Sequence, residues 1–181
     1  MDEITAIRRM KAGDFSGLES LMACYQVKAV RTAFLITRDK ARAEDVVQEV
    51  FLRLFQHANR FDENRPFEPY LMRSVVNAAL NACRDEKHSI SFEGNLETVE
   101  RLVSQAVSVE SQTEYIQLKG EILEALGKLP SRQRAAIVQR YYLGMSEQEM
   151  ALALEAAPGT VKWLLNSARA GLRDLIKKER I

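Results

Sequence analysis

The feature that most constrains the fold is a series of helix-boundary signals within residues 129–173. Ser146 is followed three residues later by Glu149, which is the spacing of a capping box and marks the start of a helix. Pro158 suits the first turn of another helix, because an N–H at that position would have no intrahelical partner. Only about two turns of helix and a tight turn fit between these starts. A short helix, a short turn and a longer helix form the plan of a helix-turn-helix.

Two further signals bound the helix that comes before this unit. Pro130 disfavours helical angles at Leu129 and therefore ends the preceding helix. Gly144 lies where a helix C-terminus commonly requires a left-handed residue. Ala151 is small enough to let the last helix approach the short one closely.

The last helix has two faces of different chemistry. An apolar stripe at three-to-four spacing predicts its buried side: Val161, Leu165, Ala168, Leu172 and Leu175. A neighbouring stripe carries amide and basic groups: Lys162, Asn166, Arg169 and Arg173. This polar stripe could lie along a DNA groove, with cations on phosphates and one or two side chains on base edges. It could equally be the solvated face of a helical bundle, and the pattern alone leaves both interpretations open.

The charge of the chain is uneven, although its sum is only +1. Residues 1–87, 88–120 and 121–181 carry net charges of +1, −3 and +3, so an acidic middle separates two faintly basic ends. No apolar run approaches the roughly 18 residues that would span a bilayer. The first residues are acidic and do not have the basic-then-apolar pattern of a signal peptide. We therefore expect a cytoplasmic protein without membrane insertion.

The sequence offers no basis for a catalytic or metal site. Cys24 and Cys83 lack motif spacing, and together with His57 and His88 they make a poor ligand set for a metal ion. We expect both cysteines to be ordinary helix residues in a reducing compartment, although a redox role is not excluded. No Gly-rich phosphate loop, nucleophile triad or pair of catalytic carboxylates is present. We therefore expect no enzyme activity and no cofactor.

The amino-terminal half is helical by its periodicity. We predict a first helix over Ile4–Lys11, helices capped by Asp14 and Asp39, and a fourth helix from about Phe67 to Lys87. Residues 88–112 lack a clean period and are predicted to be a linker, with helical fragments near 96–107. Periodicity returns over residues 114–127. The predicted fold is therefore all-α, with one small helical domain at 1–87, a linker at 88–112 and a helix-turn-helix domain at 113–181.

Two motifs resemble the bacterial sigma-70 family in the order that the family has. The first resembles its region-two domain and consists of the helix Asp45–Leu54, an aromatic loop, and then Tyr70, Leu71, Arg73 and Asn77. The second resembles its region-four domain and consists of Leu129-Pro130, Arg132-Gln133-Arg134, Arg140-Tyr141, Gly144-Met145-Ser146, Ala151 and Gly159–Lys162. With nothing added, this is the minimal plan of the extracytoplasmic-function (ECF) group, which implies a sigma factor that initiates transcription from specific promoters.

The resemblance implies a role for each matching residue. The acidic and amide face formed by Asp45, Gln48 and Glu49 would dock on the clamp helices of core RNA polymerase. The minus-ten promoter element would be held by the loop and the fourth helix, through Arg60, Phe61, Asn64, Phe67, Tyr70, Arg73, Asn77 and Arg84. The aromatic residues of this set would stack on an extruded base, although core packing is an equal alternative for Phe67 and Tyr70. The minus-thirty-five element of promoter DNA would be read by Thr160, Lys162, Trp163, Asn166, Arg169 and Arg173.

The chain departs from the family pattern at several of these positions. Trp163-Leu164 stands where the family usually has Ser-Arg, Asn166-Ser167 lacks a basic residue, and residues 84–87 sum to zero charge. The usual turn glycine is replaced around Glu155. Fewer phosphate contacts weaken DNA binding, so we predict weak promoter binding by the isolated chain. Trp163 could cover the core edge, contact DNA or anchor a partner.

The family also implies an inhibitory anti-sigma factor as a partner. Two other function classes remain possible from the residues alone. One is a stand-alone regulator whose front half binds a signal or dimerises. The other is an interaction protein that no longer reads DNA.

Overall fold

The computed structural model describes residues 2–84 and 112–179, and all regular structure in these ranges is helical. The α-helices are α1 (Glu3–Lys11), α2 (Phe15–Thr37), α3 (Lys40–Gln56), α4 (Phe67–Arg84), α5 (Gln112–Lys128), α6 (Ser131–Ile137), α7 (Glu147–Ala153) and α8 (Pro158–Glu179). A 3₁₀ turn at Ala58–Arg60 follows α3, and a π-helical segment at Val138–Tyr142 continues α6. The all-α class predicted from the sequence is confirmed. The predicted linker lies outside the described residues, apart from Gln112, as does the predicted end of the fourth helix at Lys87.

The first bundle, α1 to α4, is organised around α2. This helix contacts α1, α3 and α4, and its residues from Thr32 to Thr37 are all buried. The two predicted caps are present: Asp14 accepts a hydrogen bond from the Ser16 backbone N–H at 2.9 Å, and Asp39 accepts one from the Arg42 N–H at 3.0 Å. These side chains satisfy donors that the first helical turn leaves free.

The second bundle, α5 to α8, is organised around α8, which contacts α5, α6 and α7. The predicted stripe is buried at Val161, Leu165 and Ala168, while Leu172 and Leu175 are half-buried against the core. Leu164 is also buried, at 4% exposure. The apolar side chain at 164 therefore extends the core.

Two left-handed residues bound the short helix α7. Gly144 has a φ of 69°, as its position after a helix predicts, and Glu155 has a φ of 48° in the turn before α8. Residues with a Cβ rarely adopt this left-handed backbone conformation because the Cβ crowds the backbone. Glu155 therefore adopts a backbone conformation typical of glycine, at the position where the family usually has the turn glycine.

The two bundles pack against each other. Helices α2 and α4 of the first bundle contact α6, α2 also contacts the π-helical segment, and α4 contacts α7. The buried apolar residues of the two bundles form one cluster. The two-domain boundaries at 87 and 113 accordingly stay a prediction.

No helix in the described ranges has an apolar stretch of the length and hydropathy that crossing a bilayer requires.

Candidate functional site

The outer face of α3 carries the residues predicted to bind polymerase. Asp45, Gln48 and Glu49 are all exposed, while the opposite face is buried at Val46, Val47, Val50, Phe51 and Leu54. Leu52, one turn beyond Gln48, is 53% exposed on the same outer side. Glu49 forms an exposed ion pair with Arg53 one turn further on. The face is therefore a polar surface with an apolar side chain at its edge, open to solvent in the described structure.

The loop between α3 and α4 is held in place by Asp62. Its carboxylate accepts hydrogen bonds from the Asn64 backbone N–H at 3.1 Å and side-chain amide at 3.0 Å, and these bonds lower the pKa of Asp62. The Lys11 ammonium donates to the Phe61 carbonyl at 3.2 Å and ties the loop to α1. Arg60 and Asn64 are exposed on the outside of this loop.

The three aromatic residues predicted to stack on a base have different environments. Phe61 and Phe67 are 5% and 0% exposed, and their rings meet edge to face with centroids 5.5 Å apart. Neither ring has a free face in this structure, and both pack in the core, so the stacking role of Phe61 and Phe67 stays a prediction that their burial does not favour. Tyr70 is 40% exposed and rests on Phe61 at a centroid distance of 4.9 Å. Of the three rings, Tyr70 alone can offer a face to a base.

The polar side chains of α4 extend the surface that the loop and Tyr70 form. Arg73 and Arg84 are exposed and Asn77 is half-buried, while Leu71, Val75 and Val76 are fully buried on the other side. Arg84 donates a hydrogen bond to the side-chain oxygen of Asn81. This placement gives α4 two cations on its solvent side that could contact phosphates.

The helix-turn-helix is held by local bonds that the sequence predicted. The Ser146 hydroxyl accepts a hydrogen bond from the Glu149 N–H at 3.2 Å, and the Ser146 N–H donates to the Glu149 carboxylate at 2.8 Å. The Ser146 hydroxyl also donates to the Glu149 carboxylate at 2.7 Å, and the two bonds that this carboxylate accepts from Ser146 lower the pKa of Glu149. The predicted capping box is therefore confirmed, and it fixes the start of α7 before the turn that leads into α8.

All six side chains predicted to read the minus-thirty-five element are exposed on α8: Thr160, Lys162, Trp163, Asn166, Arg169 and Arg173. Trp163 is 61% exposed, which disfavours the interpretation as a cover for the core edge. The interpretations as a DNA contact and as an anchor for a partner both remain. Arg169 is oriented by Tyr141: its Nε donates to the tyrosine hydroxyl at 2.8 Å, and its guanidinium lies 5.7 Å from the ring centroid.

A cavity of about 450 Å³ separates part of the first bundle from the second. Tyr70 and Arg73 of α4 line one side, and Leu143, Met145 and Leu152 line the other. The predicted minus-ten surface therefore faces the helix-turn-helix across this cavity.

Sequence reasoning missed two features that bear on the site. One is the π-helical segment Val138–Tyr142, which presents Tyr141 to Arg169 and for which we find no local signal. The other is the burial of Arg134, at 8% exposure, between the two bundles. Arg134 lies in the helix that begins after Pro130, and nothing in that local sequence indicates that its side chain contacts α4 and α5.

Comparisons with known proteins agree with this arrangement. Residues 21–89 match the family model for Sigma-70 region 2, and residues 119–172 match the one for Sigma-70 region 4. SigW of Bacillus subtilis (strain 168), an ECF RNA polymerase sigma factor, is 26% identical over 177 residues, which cover 94% of this chain and 95% of SigW. SigL of Mycobacterium tuberculosis, also an ECF RNA polymerase sigma factor, is 34% identical over 144 residues, 79% of each chain.

Two solved structures share the fold. CnrH, in complex with the cytosolic domain of CnrY, matches with a TM-score of 0.66 and 22% identity, over 97% of both chains. The sigma factor RpoE of Bartonella quintana, in complex with the anti-sigma factor NepR, matches with a TM-score of 0.64 and 19% identity, over 88% of this chain and 96% of that one. The two family matches and the similarity to SigL show that the chain belongs to the ECF group of the sigma-70 family, the initiation factors that direct RNA polymerase to promoters.

Proposed function

We propose that this sigma factor docks on core polymerase through the outer face of α3 and reads its promoter through two separate surfaces. The minus-ten element is held by the loop after α3 together with α4, and the minus-thirty-five element is read by α8. The observation that carries the proposal is that Asp45 and Gln48 are exposed on one side of a helix whose other side is buried.

Docking on the polymerase clamp helices uses Asp45, Gln48 and Glu49. Charge complementarity at such a face fixes orientation and partner choice more than it adds affinity. The exposed ion pair between Glu49 and Arg53 does not prevent this, since a pair of that kind contributes only about 0–1 kcal/mol. Leu52 supplies apolar area beside the polar groups.

Capture of the minus-ten element uses Tyr70 as the stacking platform. Stacking one base on an aromatic ring contributes about 1–3 kcal/mol, which is comparable with the cost of unstacking one step of DNA. Other polar side chains lie along the loop and α4 and serve phosphates or base edges: Arg60, Asn64, Arg73, Asn77 and Arg84.

Reading of the minus-thirty-five element uses the exposed stripe of α8 in the major groove. Lys162, Arg169 and Arg173 serve phosphates, while Thr160, Trp163 and Asn166 lie at positions suited to base edges. An asparagine can bond adenine with both amide atoms, and an apolar ring can contact a thymine methyl. Removing one phosphate-binding cation, as in Lys162→Ala, would reduce the salt slope of promoter binding by about 1.

Control by an anti-sigma factor forms part of the proposal. It is supported by the similarity to CnrH and to RpoE, whose structures contain CnrY and the anti-sigma factor NepR. The chain would meet both polymerase and this partner in the cytoplasm.

Run-off transcription with core polymerase tests the proposal. We expect promoter-specific transcripts only when the chain is added, and we expect Tyr70→Ala to lower their yield about tenfold while Tyr70→Phe keeps most of it, because phenylalanine retains the stacking ring. Absence of transcripts from every candidate promoter would favour a regulator or interaction protein instead. Equal yields from the two Tyr70 variants would contradict the stacking role.

A further inference from the structure

Helix α1 packs beside the loop of the proposed minus-ten site, residues 61–66, which we call the minus-ten loop. The match to Sigma-70 region 2 begins at residue 21, so α1 lies outside it. The buried side of α1 joins the core, and the helix contacts α2 and the 3₁₀ turn that precedes the loop. A Cβ at Gly17 of α2 would lie 2.3 Å from the Ala6 carbonyl oxygen, so the backbone of α1 is seated closely on α2.

Two cations of α1 bind the minus-ten loop. The Lys11 ammonium donates to the Phe61 carbonyl at 3.2 Å, across 50 positions of sequence. The Arg8 guanidinium pairs with the Glu63 carboxylate at 3.0 Å, across 55 positions. A loop that a packed helix holds at two points has fewer conformations to lose when it binds a ligand.

The residue whose carbonyl α1 holds, Phe61, also supports the proposed base platform. Its buried ring packs against Tyr70 at a centroid distance of 4.9 Å and meets Phe67 edge to face at 5.5 Å. The other side of this aromatic cluster reaches α1 as well, because the Tyr25 ring lies 5.7 Å from Phe67 and the Tyr25 hydroxyl donates to the Glu3 carboxylate. Both ends of α1 therefore contact groups that support Tyr70.

The charge of the loop explains why cations from α1 matter there. Residues 60–65 contain two arginines and two carboxylates, so their net charge is zero, and the two cations of α1 raise the sum to +2. Hydrogen bonds from Asn64 lower the pKa of Asp62 most strongly, and the charges of Arg65 and Lys11 add to that effect. DNA carries a negative charge at every phosphate, so a carboxylate without a cation in this loop would repel the promoter.

We propose, on the basis of the minus-ten contacts proposed above, that α1 is a positioning element of the minus-ten site. Arg8 and Lys11 hold the loop in the conformation that presents Tyr70 before DNA arrives. Arg8 also neutralises the Glu63 carboxylate. Because the loop is ordered in advance, less of the interaction with DNA is spent on ordering it. Neither cation contacts the captured base, and both act through the loop.

Hydrogen exchange, followed by NMR in the free full-length chain, tests whether α1 holds the loop. The Asn64 N–H donates to the Asp62 carboxylate at 3.1 Å and the Arg65 N–H to the Asp62 carbonyl at 3.0 Å, so both amides report on the loop. Arg8→Glu sets two carboxylates against each other and should speed their exchange about fivefold, the scale of one exposed ion pair. Glu63→Arg should do the same. The double variant restores the pair with its charges exchanged and should return to the parent rate.

A second comparison separates the hold on the loop from the charge of α1. Lys11→Met removes the donor to the Phe61 carbonyl and should speed exchange about fivefold, the scale of one hydrogen bond to a charged group. Arg9→Met is the matched control, since it removes a cation of the same turn that donates to Ser16 of α2, and it should leave exchange unchanged. Lys11→Arg can still donate and should keep the parent rate.

Promoter discrimination tests whether the held loop positions the site. The probes are two fork DNAs that carry the minus-ten element of a transcribed promoter, either intact or scrambled, and each variant is assembled with core polymerase. The preference for the intact element should fall about fivefold for both single charge reversals and for Lys11→Met, and should return in the double variant. A change in bulk charge alone would alter binding to both DNAs equally, because phosphate contacts carry no sequence information.

Tyr70→Ala in the same assay separates failure of this inference from failure of the proposed minus-ten site. If Tyr70→Ala lowers the preference and the α1 variants keep it, the positioning role is overturned and the site stands. Charge reversals whose effects do not recover in the double variant also overturn it. If the α1 variants act as expected and Tyr70→Ala has no effect, α1 positions the loop and Tyr70 is not the base platform. Circular dichroism identifies any variant that does not fold, and the other comparison then carries the test.

Discussion

The two bundles reach similar burial by different means. The first is built around a helix of 23 residues, α2, which packs on three neighbours. The second includes α7, a helix of only seven residues, which depends on its capping box and on packing against α8. Isolated helices of that length are not stable in water, so caps and tertiary contacts decide whether they form. The comparison indicates that long-range packing specifies the first bundle, whereas local signals specify much of the helix-turn-helix.

The largest effect should come from the closest approach inside the first bundle. A Cβ at Gly17 would lie 2.3 Å from the Ala6 carbonyl oxygen and 2.5 Å from the Met10 backbone nitrogen. Because neither backbone atom can move freely, Gly17→Ala should force α1 away from α2 and cost about 3 kcal/mol of unfolding free energy. Urea denaturation followed by circular dichroism measures this loss.

Gly120→Ala is the matched control, since a Cβ there meets nothing within 4 Å. It should stabilise α5 by up to about 1 kcal/mol, because alanine is the better helix former. Equal stability of the Gly17→Ala variant and the parent would show that long-range packing is not what limits the first bundle.

A medium effect should come from the cap of α7 in the second bundle. Ser146→Ala removes both the acceptor for the Glu149 N–H and the hydroxyl that donates to the Glu149 carboxylate, and should cost about 1 kcal/mol. Since the pKa of Glu149 is lowered below its ordinary value of 4.5, the stabilisation by this carboxylate is present above that pH. It is lost as the pH falls through the lowered pKa, so the gap between variant and parent should narrow in acid.

Ser131→Ala serves as the control for the cap, because no side-chain cap bond is formed at the start of α6. Thermal unfolding of the two variants at neutral pH and near pH 3 makes the comparison. If the Ser146→Ala variant were as stable as the Ser131→Ala variant, the claim that helix-capping residues specify this bundle would be contradicted.

The smallest effect, opposite in sign, should come from the turn before α8. Glu155→Gly relieves the left-handed backbone at φ 48° and should stabilise the second bundle by about 0.5–1 kcal/mol, after the entropy gained by the unfolded chain is subtracted. Glu124→Gly, in the middle of α5, should instead destabilise by about 1 kcal/mol. Thermal unfolding measures the effect. If Glu155→Gly lowered the stability, the glutamate side chain would stabilise the fold by more than its left-handed backbone conformation destabilises it.

The difference between local signals and long-range packing explains which features the sequence could predict. Asp14, Asp39, Ser146 and Pro158 act within a few residues of themselves, and the structure confirms each of them as a helix-start residue. The exposed faces of α3 and α8 followed from helical periodicity, because one buried stripe leaves the rest of a helix to solvent. These features cover most of the fold in the described ranges and much of the candidate site.

What could not be predicted depends on contacts between distant residues. Phe61 in the loop and Phe67 at the start of α4 are compatible with both base stacking and burial, and their burial depends on the packing of α4 against the loop. The burial of Arg134 depends likewise on α4 and on the end of α5, which no local pattern brings to the same place.

The most direct test of the account compares two double variants in the same assay. Asp45→Ala with Gln48→Ala should weaken binding to core polymerase about tenfold or more, because the two side chains lie on the proposed docking face. Lys162→Ala with Asn166→Ala should leave polymerase binding unchanged and lose transcription from promoters that depend on the minus-thirty-five element. Equal polymerase affinity for the parent and the Asp45–Gln48 variant would contradict the account.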